Sequence, residues 1–292
     1  MRVCDTLAIV GLGLIGSSLA RAAIKSGAVA RVIAIDADKE TAAKAVPLGV
    51  AHEAGTSLAL AASADIIVLA TPVGAMPRVA AALIPHLKPG AILTDVGSVK
   101  TALVEAITPL LPAGIPSVPA HPIAGTEFSG IEAGFAELFN GRWCILTPTE
   151  TTPSTATDTI RALWEATGSR VAVMTAEHHD NVLAITSHLP HLIAYTIVGT
   201  AFGLEQSEQA EVMQYSAGGF RDFTRLAASD PVMWRDIFLN NKDAVLEMLG
   251  RFTEDLSTLQ RAIRFGDAEA LENHFRRTRA IRKGVVEAKQ AL

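Results

Sequence analysis

From residue 7 to residue 174, short runs of aliphatic and β-branched residues alternate with longer, Ala-rich stretches whose apolar positions recur at helical spacing. That alternation predicts parallel strands joined by crossover helices. The strand-like runs cover residues 7–10, 32–36, 66–70, 92–95, 117–120, 143–147 and 170–174. Several lack a polar face, as strands covered by helices on both sides do. Residues 76–87, and the set Ile160, Leu163, Trp164 and Thr167, carry the helical period. The pattern predicts a doubly wound α/β domain over residues 1–174. Beyond residue 174 the strand signals stop, and residues 175–292 read as an all-α domain with helices over 178–202, 231–250 continuing to 264, and 267–289. Asp230 before Pro231, and Asp267 after Gly266, are helix-start signals. The Thr/Ser/Pro-rich residues 149–157 read as a surface loop.

Composition narrows the partners. With 49% apolar and 19% charged residues, 292 residues suffice for two folded cores. The net charge of −5 disfavours a nucleic-acid backbone, so an anionic ligand must be met by locally placed arginines. Arg276, Arg277, Arg279, Arg282 and Lys283 on the last helix read as a solvated face. Two cysteines, Cys4 and Cys144, make a disulfide framework unexpected and point to a reducing cytoplasm. Residues 7–24 are apolar enough to resemble a membrane segment, but three glycines, two serines and Arg21 make strand, turn and helix the better reading. No other stretch reaches an uninterrupted spanning length, so a soluble protein without membrane contact is expected.

The first strand runs into Gly11-Leu12-Gly13-Leu14-Ile15-Gly16, and a helix follows. In that context the glycines have separate uses: Gly11 for the tight turn, Gly13 for close approach of a pyrophosphate, and Gly16 for helix–strand packing. Asp36, twenty residues after Gly16, ends the second strand where a carboxylate would take the ribose hydroxyls and repel a 2′-phosphate. The expected cofactor is NAD rather than NADP, with FAD a weaker alternative, held by a Rossmann-type fold. Thr71 and Pro72, and Ser98 after Asp95, fall at strand ends on the ligand edge of such a sheet. They are candidate nicotinamide-side lining, or simply strand terminators and a helix cap.

His121 follows the next strand, with Glu127 six residues on. A neutral imidazole there can accept a hydroxyl proton while hydride leaves the same carbon. His188 and His191, three apart with Pro190 between them, share a helix face. Without a third ligand they read as a substrate wall or as packed histidines, and no metal is expected. His178 and His179 read as surface residues at a helix start.

Four segments in order, residues 97–100, 121–127, 186–191 and 218–225, resemble the prephenate/arogenate (cyclohexadienyl) dehydrogenases of tyrosine biosynthesis. The resemblance spans nearly the whole chain. It implies an N-terminal NAD(P) domain, a C-terminal helical dimerisation domain, and oxidative decarboxylation of prephenate to 4-hydroxyphenylpyruvate or of arogenate to tyrosine. It also implies roles: His121 as the proton acceptor, Ser98 orienting the hydroxyl, Arg225 binding a substrate carboxylate, His191 with His188 as the helical wall, Glu127 lining the pocket, and Trp234 reaching the neighbouring subunit's pocket. Arg221, one helical turn before Arg225, is a second candidate for the anion. The β-hydroxyacid dehydrogenases share such a domain order but rely on a central lysine, and here no Lys lies between Lys100 and Lys242. A non-catalytic NAD sensor would need the glycines and Asp36 but not His121 and Arg225 together. A homodimer is expected, because Trp234, Ile237, Phe238, Val245 and Leu249 would otherwise be exposed.

Overall fold

The computed structural model describes residues 2–126, 128–203, 211 and 214–287. By compactness the chain divides into Met1–Lys242 and Asp243–Leu292.

The first unit is built on a six-stranded sheet of order β3-β2-β1-β4-β5-β6, every pair parallel. Its strands are β1 (Cys4–Val10), β2 (Val29–Ile35), β3 (Glu53–Gly55), β4 (Ile66–Leu69), β5 (Ile92–Asp95) and β6 (Ser117–Val118). Helices α1 (Leu14–Ser26), α2 (Lys39–Ala45), α3 (Met76–Leu83) and α4 (Thr101–Ile107) fill the crossovers. Alternate strand residues serve two separate cores: Leu7 and Ile9 pack with α1, while Ala8 and Val10 pack with residues of α3 and α4. Two-sided burial is the reason these strands show no polar face.

The strand-like runs of residues 7–174 divide between two sheets. After Val118, Pro119 interrupts the pairing and the chain enters a second, three-stranded sheet of order β7-β8-β9, made of Ala120–Pro122, Trp143–Leu146 and Arg170–Val173. β7 runs antiparallel to β8, and β8 parallel to β9. Helix α5 (Ser154–Ala166) buries Ile160, Leu163 and Trp164, and it starts inside the expected loop at Ser154. The edge strand β3 went unread because three residues carry no periodic signal.

Helices α6 (Ala176–Leu183) and α7 (Leu189–Phe202) are joined without a break by a π turn at Ala184–His188. Pro190 sits in the first turn of α7, where its missing N–H is tolerated, and the widened turn precedes it. Taken as one helix, Ala176–Phe202 contains an 18-residue window with a mean hydropathy of 1.4, long and apolar enough to cross a membrane by length and composition. The expectation that no such stretch exists is therefore corrected. Its buried His179, Asp180 and His188 are hydrogen-bonded to other elements.

After α8 (Gly218–Thr224), the expected long helix from residue 231 is broken: α9 (Pro231–Asn240) ends at Asn241, and α10 (Lys242–Phe265) starts afresh. Asp230 caps α9 as expected, accepting from Met233 N at 2.7 Å. The second unit comprises most of α10 and α11 (Ala268–Glu287), separated by Gly266 at φ 67° and capped by Asp267, which accepts from Ala270 N at 3.0 Å. Trp234, Ile237 and Val245, expected to need a partner subunit, are already buried within the chain. The exposed apolar side chains of these helices include Val232, Met233 and Leu239 on α9, and Leu246, Leu256, Ile263, Phe265, Phe275 and Ile281 on α10 and α11.

Candidate active site

The turn after β1 is shaped by close contacts that admit no side chain. At Gly11, φ is +102°, and an added Cβ would lie 2.6 Å from the Ala70 carbonyl oxygen; at Gly16 it would lie 2.0 Å from that of Gly11. Gly13 instead faces open space at the N-cap of α1 with no side-chain cap, so the first-turn N–H groups of this 13-residue helix are left for an anion. Leu12 is buried, and Leu14 and Ile15 are half-buried against the core. Asp36 has a second use that the sequence did not reveal. Its Oδ2 accepts from Leu12 N at 2.8 Å and its Oδ1 from Asp38 N at 2.9 Å, which pins the glycine turn to the end of β2. Each carboxylate oxygen keeps a further lone pair for a ribose hydroxyl.

The ends of β4 and β5 line the same edge. Thr71 Oγ1 is buried without a hydrogen-bond partner among the described residues, and Pro72 opens the short turn Val73–Ala75. Gly74 in that turn abuts α9, since an added Cβ would lie 2.5 Å from Asp236 Oδ2. Ser98 is half-buried two residues before Lys100, and Lys100 is fully buried. The Lys100 ammonium pairs with Asp95 and donates to the Ala120 carbonyl at 2.7 Å. Asp95 also accepts from Gly97 N at 2.7 Å.

His121 lies in β7, just past the carboxyl end of β6, and the lysine therefore grips the backbone immediately before it. Its Nδ1 is 2.8 Å from His179 Nε2, and His179 Nδ1 is 2.8 Å from Asp180 Oδ1. Asp180 accepts from Lys100 N and Thr101 N, both at 2.8 Å. Burial, reinforced by the neighbouring His179, Lys100 and His188, holds the His121 imidazole well below its ordinary pKa. Burial also lowers His179, against the pull of Asp180. For Asp180, burial pushes upward, but the hydrogen bonds from His179, Thr101 and Lys100 outweigh it and keep the carboxyl below its usual range.

The helical wall is different in detail from the sequence expectation. His188 is buried, with its Nδ1 3.1 Å from Asn241 Nδ2, and the same amide donates to the Asp180 carbonyl at 2.9 Å. Asn241 is the residue that breaks the expected long helix. Burial depresses the His188 pKa to about 4. His191 donates from Nδ1 to the Ser187 carbonyl at 2.8 Å and stacks on Trp234 with ring centroids 3.7 Å apart. Trp234 thus packs on its own chain's His191. His188 Nε2 and Trp234 Nε1 are both buried with no hydrogen-bond partner among the described residues.

Arg225 is exposed at the start of a short turn after α8, near enough to His191 to lower its pKa, after burial as the larger cause. Arg221 points its guanidinium at the adjacent Asp222, 3.7 Å away, with both side chains exposed. Glu127 lies outside the described residues. Sequence reasoning missed His179, Asp180, Lys100, Asp95 and Asn241. His179, expected at the surface, is fully buried. The available signal was the acidic residue directly beside two histidines at a capped helix start, with Thr175 accepting from His178 N at 3.2 Å.

An uncapped glycine turn opening a helix, and a buried neutral imidazole past the same sheet edge, define a nucleotide-dependent oxidoreductase. The comparison with known families agrees: residues 19–173 match the nucleotide-binding domain of prephenate dehydrogenase, and residues 175–277 match its dimerization domain. The chain belongs to the prephenate dehydrogenase family. It is 44% identical over 283 residues to the cyclohexadienyl dehydrogenase of Zymomonas mobilis, covering 97% of this chain and 96% of that one. Prephenate dehydrogenase of Aquifex aeolicus, solved in complex with hydroxyphenyl propionate and NAD+, superposes with a TM-score of 0.91 at 37% identity, covering 96% and 98% of the two chains. Synechocystis arogenate dehydrogenase does so with a TM-score of 0.82 at 32% identity, covering 96% and 99%.

Proposed function

We propose that this protein carries out the NAD-dependent oxidative decarboxylation of prephenate, arogenate or both. The observation that carries the reading is the buried, neutral His121 at the carboxyl edge of a nucleotide-binding sheet. Bound nicotinamide supplies the hydride acceptor. His121 takes the ring-hydroxyl proton as hydride leaves the same carbon, the ring carboxylate departs as CO2, and its bonding electron pair completes the aromatic ring. Ser98 orients the hydroxyl. Arg225 holds a substrate carboxylate by its planar fork. His191, stacked on Trp234, and His188 wall the pocket. Thr71 and Pro72 line the nicotinamide side. We read the functional boundary as lying between residues 174 and 175, supported by family segments that cover residues 19–173 and 175–277.

The test is NADH formation on prephenate and arogenate side by side, with each of NAD and NADP; no turnover on either substrate overturns the reading. Substituting Asp36 with Ala is expected to reduce discrimination against NADP, since a like charge is removed. Because Asp36 also holds Leu12 N and Asp38 N, NAD binding should weaken by roughly ten- to a hundredfold, as titration by fluorescence will report. For Arg225→Gln, substrate binding is expected to weaken by about 2–5 kcal/mol with NAD affinity unchanged. If Arg221→Gln produces that loss instead, the anion site belongs one helical turn earlier.

We also read the protein as a cytoplasmic homodimer. The exposed apolar positions on α10 and α11, and the apolar 18-residue window within α6–α7 of which 28% is buried, leave surface for a second copy. Light scattering at assay concentration is expected to give twice the 30.7 kDa chain mass. Both cysteines are free, as suits a reducing compartment.

A further inference from the structure

We propose that His179 and Asp180 act as a positioning relay that fixes which ring nitrogen of His121 carries its hydrogen, leaving Nε2 bare to accept the substrate proton. The proposal rests on the reading of His121 as that acceptor. Asp180 receives a backbone N–H on each oxygen, Lys100 N on Oδ1 and Thr101 N on Oδ2. Although burial opposes ionisation, these donors and the bond to His179 hold the carboxyl below its usual range, so at neutral pH the group is a carboxylate and accepts on both oxygens. His179 Nδ1, 2.8 Å from Oδ1, must therefore be the protonated nitrogen. A neutral His179 then has a bare Nε2, and this faces His121 Nδ1 at 2.8 Å. His121 Nδ1 is left with one role, that of donor, and its Nε2 is the free acceptor.

Two further contacts hold the relay still. Lys100, paired with Asp95, fixes the carbonyl of Ala120 next to His121. Asn241 donates to the main-chain carbonyl of Asp180, so the far end of the relay is tied to the break between α9 and α10. The remaining titratable neighbours are His188 and Cys144. His188 is turned toward Asn241, and Cys144 stands opposite Pro122 in β8. The arrangement is a carboxylate–imidazole–imidazole chain, in which His179 does for His121 what a buried carboxylate does directly for the histidine of a serine-protease triad.

His179→Phe and His179→Gln distinguish this role from packing. Phe keeps a ring and loses the acceptor; Gln loses the ring but can place its carbonyl oxygen where Nε2 stood. The expected result is a fall in kcat of about 10- to 100-fold for Phe, with KM within about threefold, and recovery of most of that loss in Gln. Thermal melts verify folding. Nitrogen NMR of histidine-labelled enzyme is expected to show His121 protonated at Nδ1 in the wild type and shifted toward Nε2 in the Phe variant. Phe turning over as well as Gln, or an unchanged His121 tautomer in the Phe variant, overturns the relay. If the Phe variant fails to fold, the wild-type spectrum decides, because a bare Nδ1 on His121 is incompatible with the hydrogen count. Should His121→Asn itself retain wild-type turnover, the fault lies with the acceptor assignment and not with the relay.

Discussion

Replacing His121 with Asn is expected to lower kcat by roughly 10²–10⁴-fold, the scale for a lost general base, while KM changes little. The split arises because the imidazole's bond to the hydroxyl strengthens as the proton moves, so it stabilises the transition state far more than the bound substrate. The pH profile carries the same information. Only the neutral ring accepts a proton, and burial, together with His179, Lys100 and His188, keeps His121 neutral well below the ordinary histidine value of 6.5. In the wild type, kcat/KM is therefore expected to stay flat from neutrality down past that value and to fall only at lower pH. The Asn variant should lose that acidic limb. A limb that survives in the variant would assign the proton to another group, His191 being nearest in character.

The second large effect is on the fold. Lys100→Met strands the Asp95 carboxylate in a site where it is nearly inaccessible, and is expected to cost about 3–5 kcal/mol. Differential scanning calorimetry should register a drop in Tm on the order of 10 °C. Asp95→Asn combined with Lys100→Met should recover part of the loss, because the amide can still accept from Gly97 N while no charge is left without its partner. A double variant less stable than Lys100→Met would mean that the pair stabilises by more than mutual neutralisation.

Much of this could be read from residue order because the information is local. The glycine turn needs Gly11 and Gly16 for contacts with Ala70 and Gly11 itself, and these are legible as a motif. Periodicity located the buried strands and α5. What escaped depends on contacts between residues far apart in sequence. The His121–His179 bond spans 58 positions and Lys100–Asp180 spans 80, and nothing in a local window links them. The end of α9 at Asn241 escaped for a similar reason: apolar periodicity continues through it, and the break serves the Asp180 carbonyl and His188. An apolar residue on a helix, as Trp234 is, does not declare whether its own chain or another will cover it.

Four imidazoles, His121, His179, His188 and His191, are all shifted toward the neutral form, with burial the largest cause in each. The unfolded chain, with ordinary histidines, takes up protons below about pH 6.5 that the native chain declines. Each such site is fully stabilising above that value and loses its contribution as pH falls toward its depressed pKa, at about 1.4 kcal/mol per pH unit. The chemistry that keeps the base ready at neutral pH thus makes the fold itself a proton-release reaction, and mild acid opposes folding before it reaches the carboxylates.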